Sequence, residues 1–567
     1  MKIPDSSSPN SPDSPRPSNL RRDFGQVQPP GLFFIHERTL MFGAKGHSNP
    51  SNMVHQFSQV PKAEIPRSSF DRSHNHKTTL DAGYLVPIYV DEALPGDTFN
   101  TKMTAFARLA TPIVPIMDNM FMDTHFFAVP MRLVWNNWQK FNGEQTDPGD
   151  TTDYTIPQMV APAGGYQIGS VSDYMGLPTG VAGFSHSCLW HRAMNLIWNE
   201  WYRDQNLQDS LIVKKDDGPD SDTLYTLLKR GKRHDYFTSA LPWPQKGPGV
   251  EIPLGTTAPV IPTGTGIPTW STNGSVSPLA GFTGETQARW SAGAQTADAV
   301  WSNPALITDL SQATAATINS LRQAFQIQKM FERDARGGTR YTEIVRSHFG
   351  VTSPDARLQR PEYLGGGSTA INVTPIPQTS PTGTYATTPQ GNLAAMGTVL
   401  AHGHGFHHSF TEHCLILGFV SIRADLNYQQ GLNRMWSRKS RFDFYWPALS
   451  HIGEQAVLRK EIYCTGVQAN DDIVFGYQER FAEYRYRPSQ ITGLFRSQAA
   501  QSLDIWHLAQ DFQTPPVLDK TFIEENPPVD RIIAVPGEPQ FLMDMYFQQQ
   551  CSRPMPVYGV PGLIDHF

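Results

Sequence analysis

The amino-acid sequence predicts an all-β protein with helical insertions, and three observations lead to this fold class. The first is composition: Gly and Pro number 45 and 46, 11% of residues are aromatic and only 17% are charged, which favours a loop-rich β protein over a helical bundle. The second is a set of short strand patterns. The third is a long interval between those strands that carries helical patterns of its own. At 567 residues the chain is long enough to bury a large core.

The strand patterns fall into an early group and a late group. Tyr84 to Val90 is short and apolar, and apolar and polar residues alternate from Thr98 to Ala107, with Phe106 as the exception. Met120 to Val129 and His413 to Ile422 are apolar on both faces, so each needs cover on its outer side from long loops or neighbouring subunits. Further strand candidates are residues 442–446, 457–464 and 473–477.

The interval of about 131–410 between the two groups is far longer than an ordinary loop, and we predict that it is a large insertion. Residues 187–206 and 313–336 carry apolar side chains at helical spacing. Residues 247–305 are rich in Gly, Pro, Thr, Ser and Ala, which is surface-loop composition. The pattern therefore predicts an all-β sandwich or barrel that is split by one very large excursion.

Composition also excludes several classes of protein. The four cysteines form no CxxC pair, so we expect neither a disulfide scaffold nor a zinc cage. No apolar run approaches the roughly 20 residues of a membrane span. Residues 1–52 begin with a Ser/Pro-rich segment, and we expect a disordered or variable extension there, or Met53 as the initiator. The net charge of -6 argues against a chain that neutralises a packaged genome alone.

The stretch from Ile422 to Leu458 carries the strongest functional signal, because basic and aromatic residues are interleaved in it. Such a mixture suits single-stranded nucleic acid, since cations neutralise phosphates and rings stack bases. It equally suits a large protein–protein contact. The acidic net charge and the flanking strands favour inter-subunit contact, and DNA contact stays open for part of the stretch. The candidates are Arg434, Trp436, Arg438, Lys439 and Arg441.

Long runs of the chain after Met53 resemble a known family. Besides 422–458 they include NLIWNEWYRDQNLQ (195–208), KRGKRHDYFTSALPWPQKG (229–247), ERDARGGTRYTEIVRSHFGVTSPDARLQRPEYLGG (332–366) and FGYQERFAEYRYRPSQITGLFRS (475–497). These runs are similar to the major capsid proteins of gokushovirus-like microviruses, which are small icosahedral phages with single-stranded DNA. The resemblance is weakest at 1–52, 247–305 and around 370–408.

This resemblance implies an eight-stranded antiparallel jelly-roll β-barrel of the viral capsid type with very long inserted loops. It implies one domain over 53–567, with early strands at about 84–130 and the remaining strands and a C-terminal arm at about 411–567. Residues 247–305 look like the family's hypervariable insertion, which forms a protrusion at the icosahedral three-fold axes. That protrusion is the natural candidate for host attachment.

The function that the resemblance implies is structural, with no enzymatic activity and no cofactor. The chain would self-assemble in the host bacterial cytoplasm into a T=1 shell, the virion capsid, around circular single-stranded DNA. The implied partners are other copies of the chain, the DNA genome, a small basic DNA-binding protein, an internal scaffolding protein, a DNA pilot protein and a bacterial surface receptor. No membrane insertion is expected.

Two further groups of basic residues are candidates for DNA or inter-subunit contact. Such side chains bind phosphates or pair with the carboxylates of a neighbouring subunit. One group lies in a polar arm that precedes the first predicted strand, and the other lies in the 229–247 run. The candidates are Arg67, Arg72 and Lys77 in the arm, and Lys229, Arg230, Lys232 and Arg233 in the run.

The histidine run HGHGFHHSFTEHC is the basis of a competing interpretation. Imidazoles at this spacing bind zinc, copper or nickel, which makes His402, His404 and His407 weak candidates for metal ligands. On a jelly roll the HxH pattern also resembles cupins, so the alternative function is a metal-dependent cupin-like β-barrel enzyme or a sugar-binding protein. The distance to Glu412 departs from the cupin pattern, and a Gly/His-rich turn before the next strand is the favoured interpretation.

Overall fold

The computed structural model describes residues 66–250, 318–379 and 390–559, together with six short strand segments between 260 and 308. All of them belong to one compact unit, residues 65–563. Its main element is a 10-stranded antiparallel sheet. The strands are β1 (Ser68–Asp71), β2 (His74–Leu80), β3 (Tyr84–Ala93), β4 (Thr98–Leu109), β5 (Met120–Pro130), β6 (Leu228–Lys229), β7 (Glu362–Pro377), β8 (Leu393–Ser409), β9 (Cys414–Ala424) and β10 (Phe541–Arg553).

Eight of these strands form two interleaved arrays, in the orders β2–β10–β4–β8 and β3–β9–β5–β7. Consecutive strands therefore fall mostly in opposite arrays, which is the connectivity of a jelly roll. Strand β7 joins the arrays, because residues 362–371 pair with β5 while residues 372–377 pair with β8. The predicted fold class, an antiparallel jelly roll with helical insertions and very long loops, is confirmed.

The core lies between the two arrays and is built by alternation along each strand. In β4 the side chains at odd positions from Phe99 to Ala107 are buried, while Phe106 on the other face remains 48% exposed. Across the sandwich, the ring of Tyr89 in β3 lies 5.2 Å from the ring of Phe547 in β10. Burial of this apolar area drives folding, at about 1.5–3 kcal/mol for each large side chain.

The outer face of the β3–β9–β5–β7 array is also covered, as the two-faced apolar pattern of β5 and β9 predicts. Leu415, Leu417 and Phe419 of β9 pack into a second apolar cluster on this side. Trp135 and the helix α1 (Leu189–Ile197) supply the other half of that cluster. The long excursion of the same chain therefore provides the cover.

The excursion between β5 and β7 also carries the long helices. Helix α1 continues into a π-helical turn at Trp198–Tyr202, and α2 (Ile318–Gly337) and α3 (Tyr341–Phe349) follow. Both predicted helices are confirmed, although residues 313–317 lie outside the described part of the chain. One-turn helices occur at 138–141, 171–174, 355–358, 468–471 and 520–523.

The predicted insertion at 131–410 is wrong at its C-terminal end, because β7 and β8 are long strands of the main sheet. Their glycines lower strand propensity and hide them from pattern analysis. Close packing requires these glycines: a Cβ on Gly366 would lie 2.0 Å from the Thr124 carbonyl oxygen, and one on Gly405 would lie 2.0 Å from that of Thr101. The excursion between β5 and β7 therefore covers residues 131–361, and the two-residue strand β6 returns from it to the main sheet.

A second strand prediction, at 442–446, is also wrong. This segment contains 3₁₀ turns at Arg441–Asp443 and Pro447–Leu449. Asp443 accepts hydrogen bonds from the backbone N–H groups of Lys439 and Ser440, and these local bonds favour a turn over a strand. The predicted strand at 457–464 ends at Leu458, in a hairpin of Glu454–Leu458 with Val474–Glu479.

Shorter ladders complete the described structure. They pair 158–160 with 185–187, 427–428 with 489–490, and 260–262 with 306–308, and a four-stranded sheet is formed by 288–290, 275–281, 269–272 and 300–303. The predicted extension at 1–52 and most of the predicted protrusion at 247–305 lie outside the described residues. Within the described residues, no helix combines the length and apolar character needed to cross a bilayer.

Candidate interaction surfaces

The basic run at 434–441 divides into an inward and an outward set. Arg434 donates to Glu461 Oε1 at 3.0 Å and to the Ala456 carbonyl at 2.7 Å, and Arg438 lies 3.5 Å from Glu483. Both guanidiniums are therefore neutralised within the chain. Burial raises the pKa of the Glu461 carboxyl, although the charge of Arg434 opposes this. These two arginines connect the 3₁₀ turns to the hairpin of 454–458 and 474–479 and to the turns that follow its strands. Their guanidinium groups are therefore not available to bind DNA phosphates.

The outward set consists of Trp436, Lys439 and Arg441. Trp436 is 72% exposed, the most exposed aromatic ring of this segment. Arg441 lies over the ring of Trp446 at 4.6 Å, a cation–π contact that leaves its charge in solvent. Further exposed rings lie in the same segment, and Tyr484 joins them through Tyr445, whose ring lies 6.3 Å away. Together we call these rings the aromatic patch. Its members are Trp436, Phe442, Phe444, Tyr445, Trp446 and Tyr484, each at least 41% exposed.

The run at 229–233 is mainly structural. Arg230 binds Asp123 at 2.6 Å, and Lys229 donates to Asn526 at 2.8 Å while its ammonium lies 5.0 Å from the Tyr84 ring. Lys232 is buried, and its ammonium donates to the Gln510 side chain at 2.9 Å and to a backbone carbonyl. Desolvation lowers the pKa of Lys232 to about 8. Arg233, 58% exposed and 3.4 Å from Asp425, is the most accessible cation of the run.

The predicted polar arm at 67–77 is wrong as an arm, because it forms β1 and β2 along β10. Arg72 makes a two-pronged contact with Asp91, at 2.7 and 2.9 Å. Burial would raise the pKa of Asp91, but the hydrogen bonds and charge of Arg72 outweigh it and hold that pKa below its usual range. Lys77 pairs with Asp544 at 3.1 Å, and Arg67 donates to Thr98 at 2.8 Å.

The histidine run lies in β8 rather than in a turn, and the strand does not bring its imidazoles together. A β-bulge at Gly403 leaves His402 exposed and His404 buried. Both ring nitrogens of His404 meet hydroxyls, those of Thr124 and Thr369, each at 2.9 Å. Burial lowers the pKa of His404. Among the described residues, no group of three His, Cys, Asp or Glu side chains could hold a metal ion.

One surface was missed by the sequence analysis, the outer face of the β2–β10–β4–β8 array. It carries Lys102, Phe106 and Arg108 from β4 and Tyr546 from β10, all of them exposed. The alternation at 98–107 separates this face from the core, and Phe106 is the apolar exception on its polar side. In contrast to the other array, this face has no covering layer among the described residues.

Comparison with known proteins agrees with this architecture. Residues 58–563 match the family described as "Capsid protein (F protein)". The chain is 50% identical to capsid protein VP1 of Bdellovibrio phage phiMH2K, over 90% of this chain and 98% of that protein. Its identity to capsid protein VP1 of Chlamydia phage 1 is 44%, over 92% and 99% of the two chains.

A third relative, capsid protein VP1 of Spiroplasma virus 4, is 38% identical, over 90% of this chain and 98% of that protein. The three relatives are capsid proteins of microviruses, so the resemblance drawn from the sequence runs is confirmed. The chain is a virion protein and belongs to the phage capsid protein (F protein) family.

Proposed function

We propose that copies of this chain assemble into a small icosahedral T=1 shell that encloses circular single-stranded DNA. The observation that carries the proposal is the aromatic patch, which the jelly roll displays on 3₁₀ turns between β9 and β10. An exposed cluster of rings is typical of a protein-binding surface. The occupant that we propose is a neighbouring copy of the chain.

The chemistry of the patch supports an inter-subunit contact. Aromatic and Arg side chains are the usual anchors of such interfaces. Six rings that are about half exposed offer several hundred Å² of apolar surface, since each ring buries about 150–250 Å² when it is covered. Arg434 and Arg438 are already paired within the chain, whereas the exposed Lys439 and Arg441 would need carboxylates of the neighbouring copy when the patch is buried.

Genome neutralisation is assigned to several partners. At a net charge of -6 the chain cannot balance a nucleic acid by itself. We therefore propose that a small basic protein shares this task, and that a scaffolding protein and a DNA pilot protein take part in assembly in the host cytoplasm. Host attachment is proposed for the variable segment at 247–305.

The proposed role is structural. The cupin-like alternative is not favoured, because both ring nitrogens of His404 are hydrogen-bonded to the hydroxyls of Thr124 and Thr369.

Assembly of the purified chain tests the proposal. Wild-type protein is expected to form particles of uniform diameter, measured by sedimentation and electron microscopy. The double substitution Trp436→Ser, Phe442→Ser is expected to remain unassembled with an unchanged unfolding midpoint, because both rings are exposed before assembly. Phe349→Ser, an equally exposed ring on α3, is the matched control. Normal shells from the double variant would contradict the proposed interface.

A further inference from the structure

The outer face of the β2–β10–β4–β8 array has no covering layer among the residues that the structure describes. The opposite array is covered by α1 and the segment around Trp135. Here the even-numbered side chains of β4 from Asn100 to Arg108 point outward, and only Thr104 is partly buried. Their neighbours on β10, from Leu542 to Gln550, alternate in the same way.

The charges on this face are unbalanced toward positive. Lys102 and Arg108 are exposed, and neither pairs with another residue in the described part of the chain. Of the carboxylates on this face, Asp544 pairs with Lys77, whereas Asp71 accepts hydrogen bonds from the neutral Ser73, which leave its negative charge uncompensated. Two cations are therefore free for an anionic ligand, and the unpaired carboxylate of Asp71 lies on β1, two strands away from Lys102 and Arg108.

Between these cations lie two aromatic rings. Phe106 and Tyr546 are each 48% exposed. In the register, Phe106 faces Asp544 and Tyr546 faces Thr104, so the two rings are diagonal neighbours on adjacent strands. Such neighbours lie about 7–8 Å apart. Lys102 and Arg108 are six residues apart on one strand, which is about 20 Å. This span accommodates several nucleotides of an extended strand.

The remaining outward groups are of two kinds. Two leucines are exposed, Leu542 opposite Arg108 and Leu400 opposite Phe106. The others include amides and imidazoles, which donate and accept hydrogen bonds. Gln548 lies opposite Lys102, and Asn100 lies between Gln550 of β10 and His407 of β8. Rings on a sheet, flanked by cations and amides, are the groups with which single-stranded nucleic acid is bound without sequence preference. A protein partner would need carboxylates opposite Lys102 and Arg108, whereas phosphates supply that charge at every nucleotide.

We propose that the outer face of β4 and β10 binds single-stranded DNA, with Lys102 and Arg108 on phosphates and Phe106 and Tyr546 stacked on unpaired bases. The inference rests on the proposed function in one respect, namely that DNA is the enclosed polymer. It moves the DNA contact away from Arg72, Arg230 and Arg434, which are paired within the chain.

Binding of the unassembled full-length chain to a fluorescent oligo-dT 20-mer tests the proposal. Lys102→Gln with Arg108→Gln is expected to lower the slope of log affinity against log salt by about 1.4, because each phosphate contact contributes about 0.7. Phe106→Leu with Tyr546→Leu is expected to weaken binding by about tenfold or more with the slope unchanged. All four positions are exposed, so an unchanged unfolding midpoint verifies folding.

The matched controls are Arg357→Gln and Phe349→Leu. They replace an exposed cation and an exposed ring in the excursion between β5 and β7, away from the proposed DNA face. Equal losses in the controls, or wild-type binding by the face variants, would overturn the inference. Shells of normal size that hold less DNA would support it. Shells of the face variants with full DNA content would refute this inference alone, whereas failure of the wild-type chain to form shells refutes the proposed function. Loss of assembly with unchanged oligo-dT affinity would assign the face to a protein partner.

Discussion

Replacement of Arg434 by Met is the sharpest test of how the basic run divides. The Arg434 side chain is 23% exposed, and its partners Glu461 and Glu483 are 3% and 7% exposed. At an effective dielectric constant of 20, the 3.0 Å pair with Glu461 represents about 5 kcal/mol of attraction, part of which offsets desolvation. Met fills similar space without charge and leaves Glu461 without its cation.

We expect Arg434→Met to lower the free energy of unfolding by about 3–5 kcal/mol, as is typical when one partner of a buried pair is removed. The measurement is urea unfolding of the unassembled chain, followed by tryptophan fluorescence. The second substitution Glu461→Gln, added to Arg434→Met, is expected to recover part of the loss, because it removes the unpaired charge. Folded domains retain only about 5–15 kcal/mol, so the shift is large.

Arg441→Met is the matched control, since Arg441 lies in the same run but its guanidinium lies over the Trp446 ring and pairs with no carboxylate among the described residues. Its expected effect is below about 1 kcal/mol. An unfolding midpoint for Arg434→Met that matches the wild type would refute the division into inward and outward cations. So would an equal loss in the control, because the run would then act as one surface cluster.

Three other results are expected. Burial lowers the pKa of His125 to about 4, below its ordinary 6.5. Between pH 6.5 and 4 the unfolded chain therefore binds one more proton than the folded chain, and acidification lowers the free energy of unfolding by about 3 kcal/mol. His125→Gln should remove this part of the acid sensitivity of the urea midpoint, and an unchanged dependence of the midpoint on pH would contradict it. Gly405→Ala would place a Cβ 2.0 Å from the Thr101 carbonyl oxygen and should lower the melting temperature strongly, because β8 would have to separate from β4. Gly164→Ala is the control, since the nearest atom to its new Cβ lies 3.8 Å away. Equal melting temperatures of the two variants would refute the packing argument. Because the described residues form no three-ligand metal site, EDTA is expected to leave particle melting unchanged, and a lowered melting temperature would indicate a metal.

The strands with clear side-chain periodicity could be predicted from the sequence. Alternation identified β4, and the continuous apolar runs identified β5 and β9 together with their need for cover on both faces. Strands β7 and β8 could not be found in this way. Their glycines are there because neighbouring backbones approach too closely for a Cβ, as at Gly366 and Gly405, and this constraint comes from partners far away in the chain.

The candidate sites show a similar limit. Sequence proximity grouped Arg434 with Arg441, but their environments depend on Glu461 and Glu483, which lie later in the chain. The sequence also gave no reason to pair Arg72 with Asp91, or Arg230 with Asp123. A cluster of cations along the chain therefore indicated charge but not its availability. The face of Lys102 and Arg108 stayed unnoticed because its cations are spaced along a strand and do not form a run.

The strand that the two arrays share has a mechanical consequence. Because the first part of β7 is bonded to β5 and the rest to β8, the two layers cannot slide past each other without breaking one of these ladders. A slip by one residue would also turn core side chains outward. If copies of the chain form the proposed shell, a load on one layer would therefore be carried through the wall into the other layer. The stiffness of the two-layered jelly roll would then depend on the strand β7 that links the layers as much as on the thickness of the layers.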